Sequence, residues 1–385
     1  MEPEIQPPLP EAPPAEAAAN AALTPELLPV APDPWETRAV LWVFLGSQGL
    51  RAGWAVLAFF LLVGLLALPV GFVVVKLHLL DTGRKLDFTV SNAFIGELTS
   101  LLPLVGAAAL MALIERRRNL LAYNLDGPRR FPHFLSGLAA GFLSLSALVG
   151  ALAWGHWLHF GPVALSGIAI YRFAGLWAVV FLMVGCVEEG LFRCYLQFTL
   201  TRGINFWWAL GIVGVICLRL LLSAKGNGLW GVYAIALLGL FPCLMLHIRK
   251  TPRSGFWQAA WVTSTLFGFI HTGNNGENWI GIFAAAAIGF VFCVSIRVTG
   301  SAWWAIGCHA AWDWAQTYFY GTADSGMVAK GHYLTTSPAG NALWSGGADG
   351  PEGSLLVLGV ILLLLVALLV IYGRRKPAAQ APMAG

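Results

Sequence analysis

Long runs of apolar residues, each about 20 positions long, alternate with short polar segments along most of this 385-residue chain. An α-helix needs roughly 20 mainly apolar residues to cross the hydrocarbon core of a bilayer. The pattern predicts about ten spans, near residues 53–75, 92–114, 134–154, 173–200, 206–224, 229–248, 256–272, 278–296, 302–320 and 354–373. The predicted fold class is therefore an all-α, polytopic transmembrane helical bundle.

The segments outside these runs differ in character. The first 36 residues carry ten of the 21 prolines and many alanines, a composition that predicts a disordered tail. An amphipathic lead-in follows, with Trp35, Trp42 and Phe44 suited to a membrane interface. The predicted organisation is a tail over 1–36, lead-in and N-terminal spans over 37–172, a helical core over 173–320, a polar loop over 321–353, and a last span with a basic tail over 354–385.

Composition supports a membrane location. Hydrophobic residues make up 58% of the chain and charged residues 11%, whereas soluble domains carry about 25% charged residues. So few charges cannot cover a water-facing surface, so we expect membrane lipids to cover most of it. The net charge of +4 is small and its cations lie at helix ends, which gives no signal for a nucleic-acid partner.

The distribution of cations predicts an orientation. Of the 23 Lys and Arg residues, 15 fall in segments that ten spans with an inner N-terminus place inside, and six fall in outer loops. Cytoplasmic loops carry the excess of Lys and Arg. We therefore expect both termini in the cytoplasm. The compact loops and Arg-rich inner face favour a bacterial plasma membrane, with an organelle membrane as the alternative.

Charged residues inside the predicted spans are the candidates for function. Each costs about 2.5–3.5 kcal/mol on insertion scales, so such residues are rarely kept without a role. The span near 173–200 carries three, the span near 256–272 ends on a histidine, and the span near 302–320 carries two. These residues are Glu188, Glu189, Arg193, His271, His309 and Asp313.

Helical spacing sorts these residues into groups. Glu189 and Arg193 are four apart, so they share a helix face and can form an ion pair. Glu188 is rotated by about 100° from Glu189 and has no partner on its own helix. His309 and Asp313 also share a face. One free carboxylate and two imidazoles on other helices can activate a water and stabilise an oxyanion.

Other functions fit single parts of this pattern. Glu188 and Glu189 could relay protons in a proton-coupled transporter, or bridge helices as polar contacts in a scaffold. Glu97, in the span near 92–114, could pair with Arg219, in the span near 206–224. Hydrolysis of a peptide bond inside a membrane needs groups that activate a water and stabilise an oxyanion, and a polar cavity that admits the water.

The same residues resemble the CPBP family of intramembrane peptidases. This family includes CAAX prenyl proteases, bacteriocin-processing or immunity proteins and abortive-infection proteins. Its motifs EExxxR, FxxxH and HxxxN/D occur here in order, beginning at Glu188, Phe267 and His309. The resemblance covers about residues 173–320 and implies an all-α bundle with a polar intramembrane cavity open to one leaflet.

The resemblance also implies a role for each motif residue. Glu188 would be the base that activates the attacking water, with His271 as its partner. Glu189 and Arg193 would be the supporting pair. His309 and Asp313 would bind the oxyanion.

Asp313 departs from the Asn that is common at its position in prenyl proteases. An ionised Asp accepts hydrogen bonds but cannot donate one to an oxyanion. Asp313 must therefore orient His309, be protonated, or help to bind a metal. If a metal is present, Zn²⁺ held by Glu188, His271, His309 and Asp313 is the expectation, although the prenyl protease branch implies a glutamate-based mechanism without metal, which we favour.

We therefore expect an intramembrane endopeptidase. Its substrate would be a hydrophobic or lipidated peptide or protein at the membrane, cleaved by water that the glutamate and histidines activate. The alternatives are a non-catalytic scaffold or bacteriocin-immunity factor that keeps the fold, and a proton-coupled transporter.

Overall fold

The computed structural model describes residues 35–46, 49–80, 87–117, 119–223, 228–251, 254–274 and 276–373. Most of the predicted N-terminal tail and the predicted basic C-terminal tail therefore lie outside the described residues. The chain divides into two compact units, residues 1–45 and 46–385. The first contains helix α1, Trp35–Phe44, in which the side chains of Trp35 and Trp42 are each 71% exposed.

Helices account for most of the second unit. In chain order they are α2 Ala52–Lys76, α3 Val90–Ile114, α4 Arg130–Trp154, α5 Ile168–Glu189, α6 Gln197–Thr201, α7 Phe206–Ser223, α8 Gly228–Ile248, α9 Ser254–Ile270, α10 Trp279–Thr299, α11 Trp303–Asp313, α12 Ala342–Ser345 and α13 Leu356–Tyr372. Short 3₁₀ turns lie at Leu120–Ala122, His271–Gly273 and Pro351–Gly353. The strands are β1 Leu45–Gly46, β2 Gly49–Leu50, β3 Leu158–Val163 and β4 Leu334–Pro338.

A helix forms at each of the ten predicted spans, which confirms the all-α, polytopic class. Among the described residues, six helices are long and apolar enough to cross a membrane, and two shorter apolar helices cover 206–222 and 356–372. The number of spans stays a prediction. Large apolar side chains such as Leu68, Phe72 and Leu363 are 68–70% exposed on the bundle surface, which suits contact with lipid.

Two predicted helices are not uniform. The segment predicted near 173–200 forms α5, a π-helix over Gly190–Leu196, and α6. The segment predicted near 302–320 forms α11 and a π-helix over Trp314–Phe319. Hydrophobic periodicity cannot distinguish these wider turns from α-helix over so few residues.

Helices α4 and α11 touch backbone to backbone. A Cβ at Gly137 would overlap the carbonyl oxygen of Trp304, and one at Gly307 would overlap that of Phe134. Gly141 meets α11 one turn after Gly137. Small residues four apart let membrane helices approach this closely. The helix that carries His309 is therefore held tightly against α4.

A polar cap lies at one end of the bundle. Strand β3 pairs with β4 in antiparallel register, from Leu158 opposite Pro338 to Val163 opposite Leu334, with a bulge after Phe160. The sequence patterns did not predict these strands. The segment predicted as a polar loop over 321–353 thus has ordered structure, and we call it, together with β3, the cap.

The cap is fastened to the helices at several points. The ammonium of Lys330 pairs with the Asp87 carboxylate, and its backbone N–H donates to Phe88 O at 2.8 Å. Trp312 Nε1 on α11 donates to Glu352 Oε1 at 2.8 Å. The cap therefore lies directly over the helix that carries His309.

Candidate active site

Both π-helices begin where the motif residues stand. Glu189 is the last residue of α5 and Asp313 the last of α11, and each is followed at once by π-helical turns. Such turns occur frequently at functional sites. The Asn124 amide donates to Arg193 O in the first π-helix at 2.8 Å, and Asn124 O accepts from Ala302 N at 2.8 Å. Asn124 thus ties the Arg193 segment to the start of α11.

Glu189 and Arg193 form the ion pair that their spacing predicts. Arg193 Nε lies 3.1 Å from Glu189 Oε2, and both side chains are fully buried. Among the described residues no acceptor meets the two terminal guanidinium nitrogens. Aromatic rings contact the guanidinium instead, since its carbon lies 4.2 Å from the ring centre of Phe267 and 5.4 Å from that of Phe292.

A glycine on α10 makes room for this guanidinium. A Cβ at Gly289 would lie 2.5 Å from Arg193 Nη2 and 3.4 Å from Phe267 Cδ1. The guanidinium cannot swing away, because it is enclosed by rings and by Glu189. Gly289 is therefore a requirement of the buried ion pair.

His309 connects this buried pair to the other carboxylates. Its Nδ1 lies 2.8 Å from Glu189 Oε1, and its Nε2 lies 3.4 Å from Asp313 Oδ2 and 3.8 Å from Glu188 Oε2. Glu189 is already held by Arg193, so it accepts from Nδ1–H. A proton must also lie on Nε2 or on a facing carboxyl group. Asp313 is thus placed to orient His309.

Glu188 faces a cavity of about 350 Å³. Its side chain is 30% exposed, whereas that of Glu189 is fully buried. Phe267, His271, His309 and Asp313 line the same cavity. The structure therefore brings Glu188, both histidines and Asp313 to one polar chamber, while Glu189 and Arg193 stand behind it.

His271 lies in the 3₁₀ turn directly after α9. Its Nδ1 is 2.6 Å from Phe267 O. A carbonyl oxygen only accepts, so Nδ1 carries the hydrogen and a neutral ring presents the lone pair of Nε2. Among the described residues, the imidazole that approaches Glu188 within 4.0 Å is that of His309. Glu188 and His271 thus line the same cavity but do not contact each other directly.

The expected zinc ligands are tested by their arrangement. Within the described part of the chain, no group of three or more His, Cys, Asp or Glu side chains is arranged to hold a metal ion. Both nitrogens of His309 already face carboxyl oxygens. The residues present do not fit a zinc site, so the chemistry below is derived without a metal.

Sequence reasoning missed several carboxyl groups that line the cavity. Glu277, Asp324 and Glu352 reach it from loops. Acidic residues in loops are ordinary in a sequence and carried no signal. Glu97 of α3, which the sequence offered only as a candidate partner of Arg219, also faces the cavity.

The loop carboxyls are close together and shielded from water. Burial, then the neighbouring Asp349 and Glu352, raise the pKa of Glu277 to about 9. Burial, then Asp324 and Asp349, raise the pKa of Glu352 to about 8. These shifts mean that the carboxyl groups between the cap and the loop after His271 favour their neutral, protonated forms.

Comparison with known proteins adds a family match to this geometry. Residues 243–315 match the family model described as type II CAAX prenyl endopeptidase Rce1-like. The match includes Phe267, His271, His309 and Asp313, whereas the glutamate motif lies before it. Neither curated proteins nor solved structures gave a match. The family match implies a protease, and together with the apolar helices it points to an integral membrane protein. The match, together with the three motifs, supports an assignment to the CPBP/CAAX protease family.

Proposed function

We propose that this protein is an intramembrane endopeptidase that hydrolyses a peptide bond in a hydrophobic or lipidated substrate. The observation that carries the proposal is the position of Glu188. Its carboxylate faces the cavity, 3.8 Å from His309 Nε2, and shares that cavity with His271. Among the described residues no Lys or Arg pairs with this carboxylate, and a carboxylate next to an imidazole and open space can take a proton from water.

The proposed reaction uses these groups in order. Glu188 takes a proton from a water molecule while the water oxygen attacks the scissile carbonyl carbon. The carbonyl oxygen becomes an oxyanion and accepts a hydrogen bond from His309 Nε2–H, which Asp313 orients. The C–N bond then breaks, and the proton on Glu188 passes to the leaving amine. His271 Nε2 accepts a hydrogen bond from the water and positions it.

Glu189 and Arg193 act behind the reacting groups. The Arg193 charge keeps Glu189 an acceptor, and Glu189 fixes the His309 ring through Nδ1. This chain of contacts resembles the way a carboxylate fixes the ring of a catalytic histidine. Both are therefore proposed as positioning residues.

The cavity lies at the bundle end that carries the cap. The loops after α9 and α11 reach this end, and so does Asp87, which precedes α3. The charge asymmetry places those loops outside when both termini are cytoplasmic. We therefore propose that substrate enters from the non-cytoplasmic side of a bacterial plasma membrane.

The test replaces the base with its isostere. In Glu188→Gln, cleavage of internally quenched apolar peptides by purified protein should fall at least about a hundredfold, since general-base catalysis contributes about 10²–10⁴. Asp126→Asn removes an exposed carboxylate that pairs with Arg130 and serves as the matched control. Membrane proteomics should detect the new peptide termini that cleavage creates in cells with the wild type and with Asp126→Asn. The same termini should be absent from cells with Glu188→Gln. Full activity in that variant would refute the assignment.

A further inference from the structure

The cap contributes a carboxyl group to the cavity that has no role in the reaction described above. Asp324 lines the cavity together with Glu188, His271 and His309. The charges of Glu188 and of both histidines act on the Asp324 carboxyl group. Glu188 comes from α5, whereas Asp324 comes from the cap. The two carboxyl groups therefore reach the same space from different parts of the fold.

Hydrogen bonds from the end of α11 fix the position of Asp324. Its Oδ2 accepts a hydrogen bond from Thr317 Oγ1 at 2.6 Å. The carbonyl oxygen of Ala323, one residue earlier, accepts from Gln316 Nε2 at 3.0 Å. Gln316 and Thr317 both lie in the π-helix that follows Asp313. The wider helical turns after Asp313 thus orient a carboxyl group of the cap.

The same part of the cap is tied to the loop that carries His271. Asp324 and Met327 exchange two backbone hydrogen bonds of 2.9 Å, one in each direction, which closes a tight turn. Within this turn, Ser325 Oγ accepts from the side-chain amide of Asn274 at 3.1 Å. Asn274 lies three residues after His271. Asp324 is therefore held between the segment after α11 and the loop after α9.

The surroundings of Asp324 favour a carboxyl group that keeps its proton. Its pKa is raised above the ordinary value, mainly because burial shields the group from water, and the charge of Glu188 acts in the same direction. The hydrogen bond from Thr317 and the charges of the two histidines act in the opposite direction. Glu188 is the proposed base, so Asp324 can provide the acid. Two carboxyl groups whose environments favour different protonation states are the usual basis for such a division of roles.

Hydrolysis of a peptide bond needs an acid as well as a base. The amine leaves the tetrahedral intermediate only when its nitrogen receives a proton, because an amine anion is a very poor leaving group. A second carboxyl group in the cavity can give a proton to this nitrogen while the first takes one from water.

We propose that Asp324 is the general acid that protonates the leaving amine. This inference rests on the proposed endopeptidase function and assigns the route by which the proton on Glu188 reaches the amine. The Asp324 O–H bond breaks as its proton moves to the scissile nitrogen. The C–N bond then breaks, its electron pair stays on nitrogen, and the oxyanion becomes a carbonyl again. The proton on Glu188 passes through water in the cavity to the Asp324 carboxylate, which restores both groups.

The test compares two leaving groups. Purified full-length protein receives an internally quenched apolar peptide and the matching depsipeptide, in which oxygen replaces the N–H of the bond that the wild type cleaves. An alkoxide leaves far more readily than an amine anion, so the ester depends much less on an acid. In Asp324→Asn, kcat for the amide should fall at least about a hundredfold and kcat for the ester by less than about tenfold. The Asn oxygen can still accept from Thr317, and ester cleavage shows that the variant is folded.

The control removes a different acid that contacts the cap. Asp87→Asn breaks an exposed ion pair with Lys330 and should leave both activities unchanged. Equal losses of amide and ester cleavage in Asp324→Asn would be the result of a purely structural role, and they overturn the general acid. Undiminished amide cleavage overturns it as well, and either result leaves the endopeptidase function intact. Wild-type protein that cleaves neither substrate refutes the endopeptidase function itself.

Discussion

The buried pair of Glu189 and Arg193 provides a quantitative test of the site. Removal of one partner leaves an uncompensated charge among Phe267, Phe292 and His309. Breaking a buried pair in this way costs about 3–5 kcal/mol. We therefore expect Arg193→Leu and Glu189→Leu each to lower the free energy of unfolding by about that amount. Arg193→Leu should be near the upper end, because it also removes the contact with the Phe267 ring at 4.2 Å.

The double variant should behave differently in stability and in activity. With both charges gone, no charge is left buried, so the combined loss should fall short of the sum of the single losses by about 2 kcal/mol or more. Activity should not recover, because His309 Nδ1 has then lost its acceptor on Glu189. The assays are reversible unfolding in mixed detergent for all four proteins and peptide cleavage for the same samples.

Two results would contradict this reasoning. Additive losses in the double variant would mean that the two side chains do not compensate each other's charge. Recovered activity in the double variant would mean that the position of His309 does not depend on Glu189. Arg193→Lys is the matched control for charge, because it keeps the cation but cannot present a planar guanidinium to the rings.

Four further predictions follow from contacts described above. Gly289→Ala should cost about 1–3 kcal/mol by crowding the guanidinium and should lower cleavage, as measured by unfolding and peptide hydrolysis. The free energy of unfolding should decrease as the pH rises from about 4.5 to about 9, because the folded chain keeps the Glu277 proton that the unfolded chain releases. Glu277→Gln should make this decrease smaller, as measured by thermal unfolding at a series of pH values. Chelators should leave peptide cleavage unchanged, and loss that zinc restores would show that a metal is needed. A Cys introduced at Asp87 should react with an impermeant thiol reagent added outside intact cells, whereas one introduced at Asp126 should not.

The fold could be predicted because lipid imposes a simple rule on sequence. A span needs about 20 apolar residues in a row, so the ten helices are visible without knowledge of their neighbours. The π-helical turns after Glu189 and Asp313 were not visible, because one extra residue per turn hardly changes the apolar pattern. The strands of the cap were missed for a related reason. Strand β3 is only six residues long, and its partner lies far along the chain.

The candidate site could be predicted only from charged residues that lie within the predicted membrane spans. Glu188, Glu189 and Arg193 stand out because a bilayer makes their burial costly. Asn124 and Gly289 act on the same group of residues, yet their residue types are ordinary for a turn and for a membrane helix. Their roles depend on which helices pack together, and helix neighbours cannot be deduced from hydrophobicity alone.

The contact between α4 and α11 has a genetic consequence. At Gly137, Gly141 and Gly307 a single added methyl group would collide with the backbone of the opposite helix. Such a substitution would shift the imidazole that sits on α11 while leaving every reacting group chemically intact. A random screen for inactive alleles should therefore recover changes at these three glycines alongside changes in the motifs.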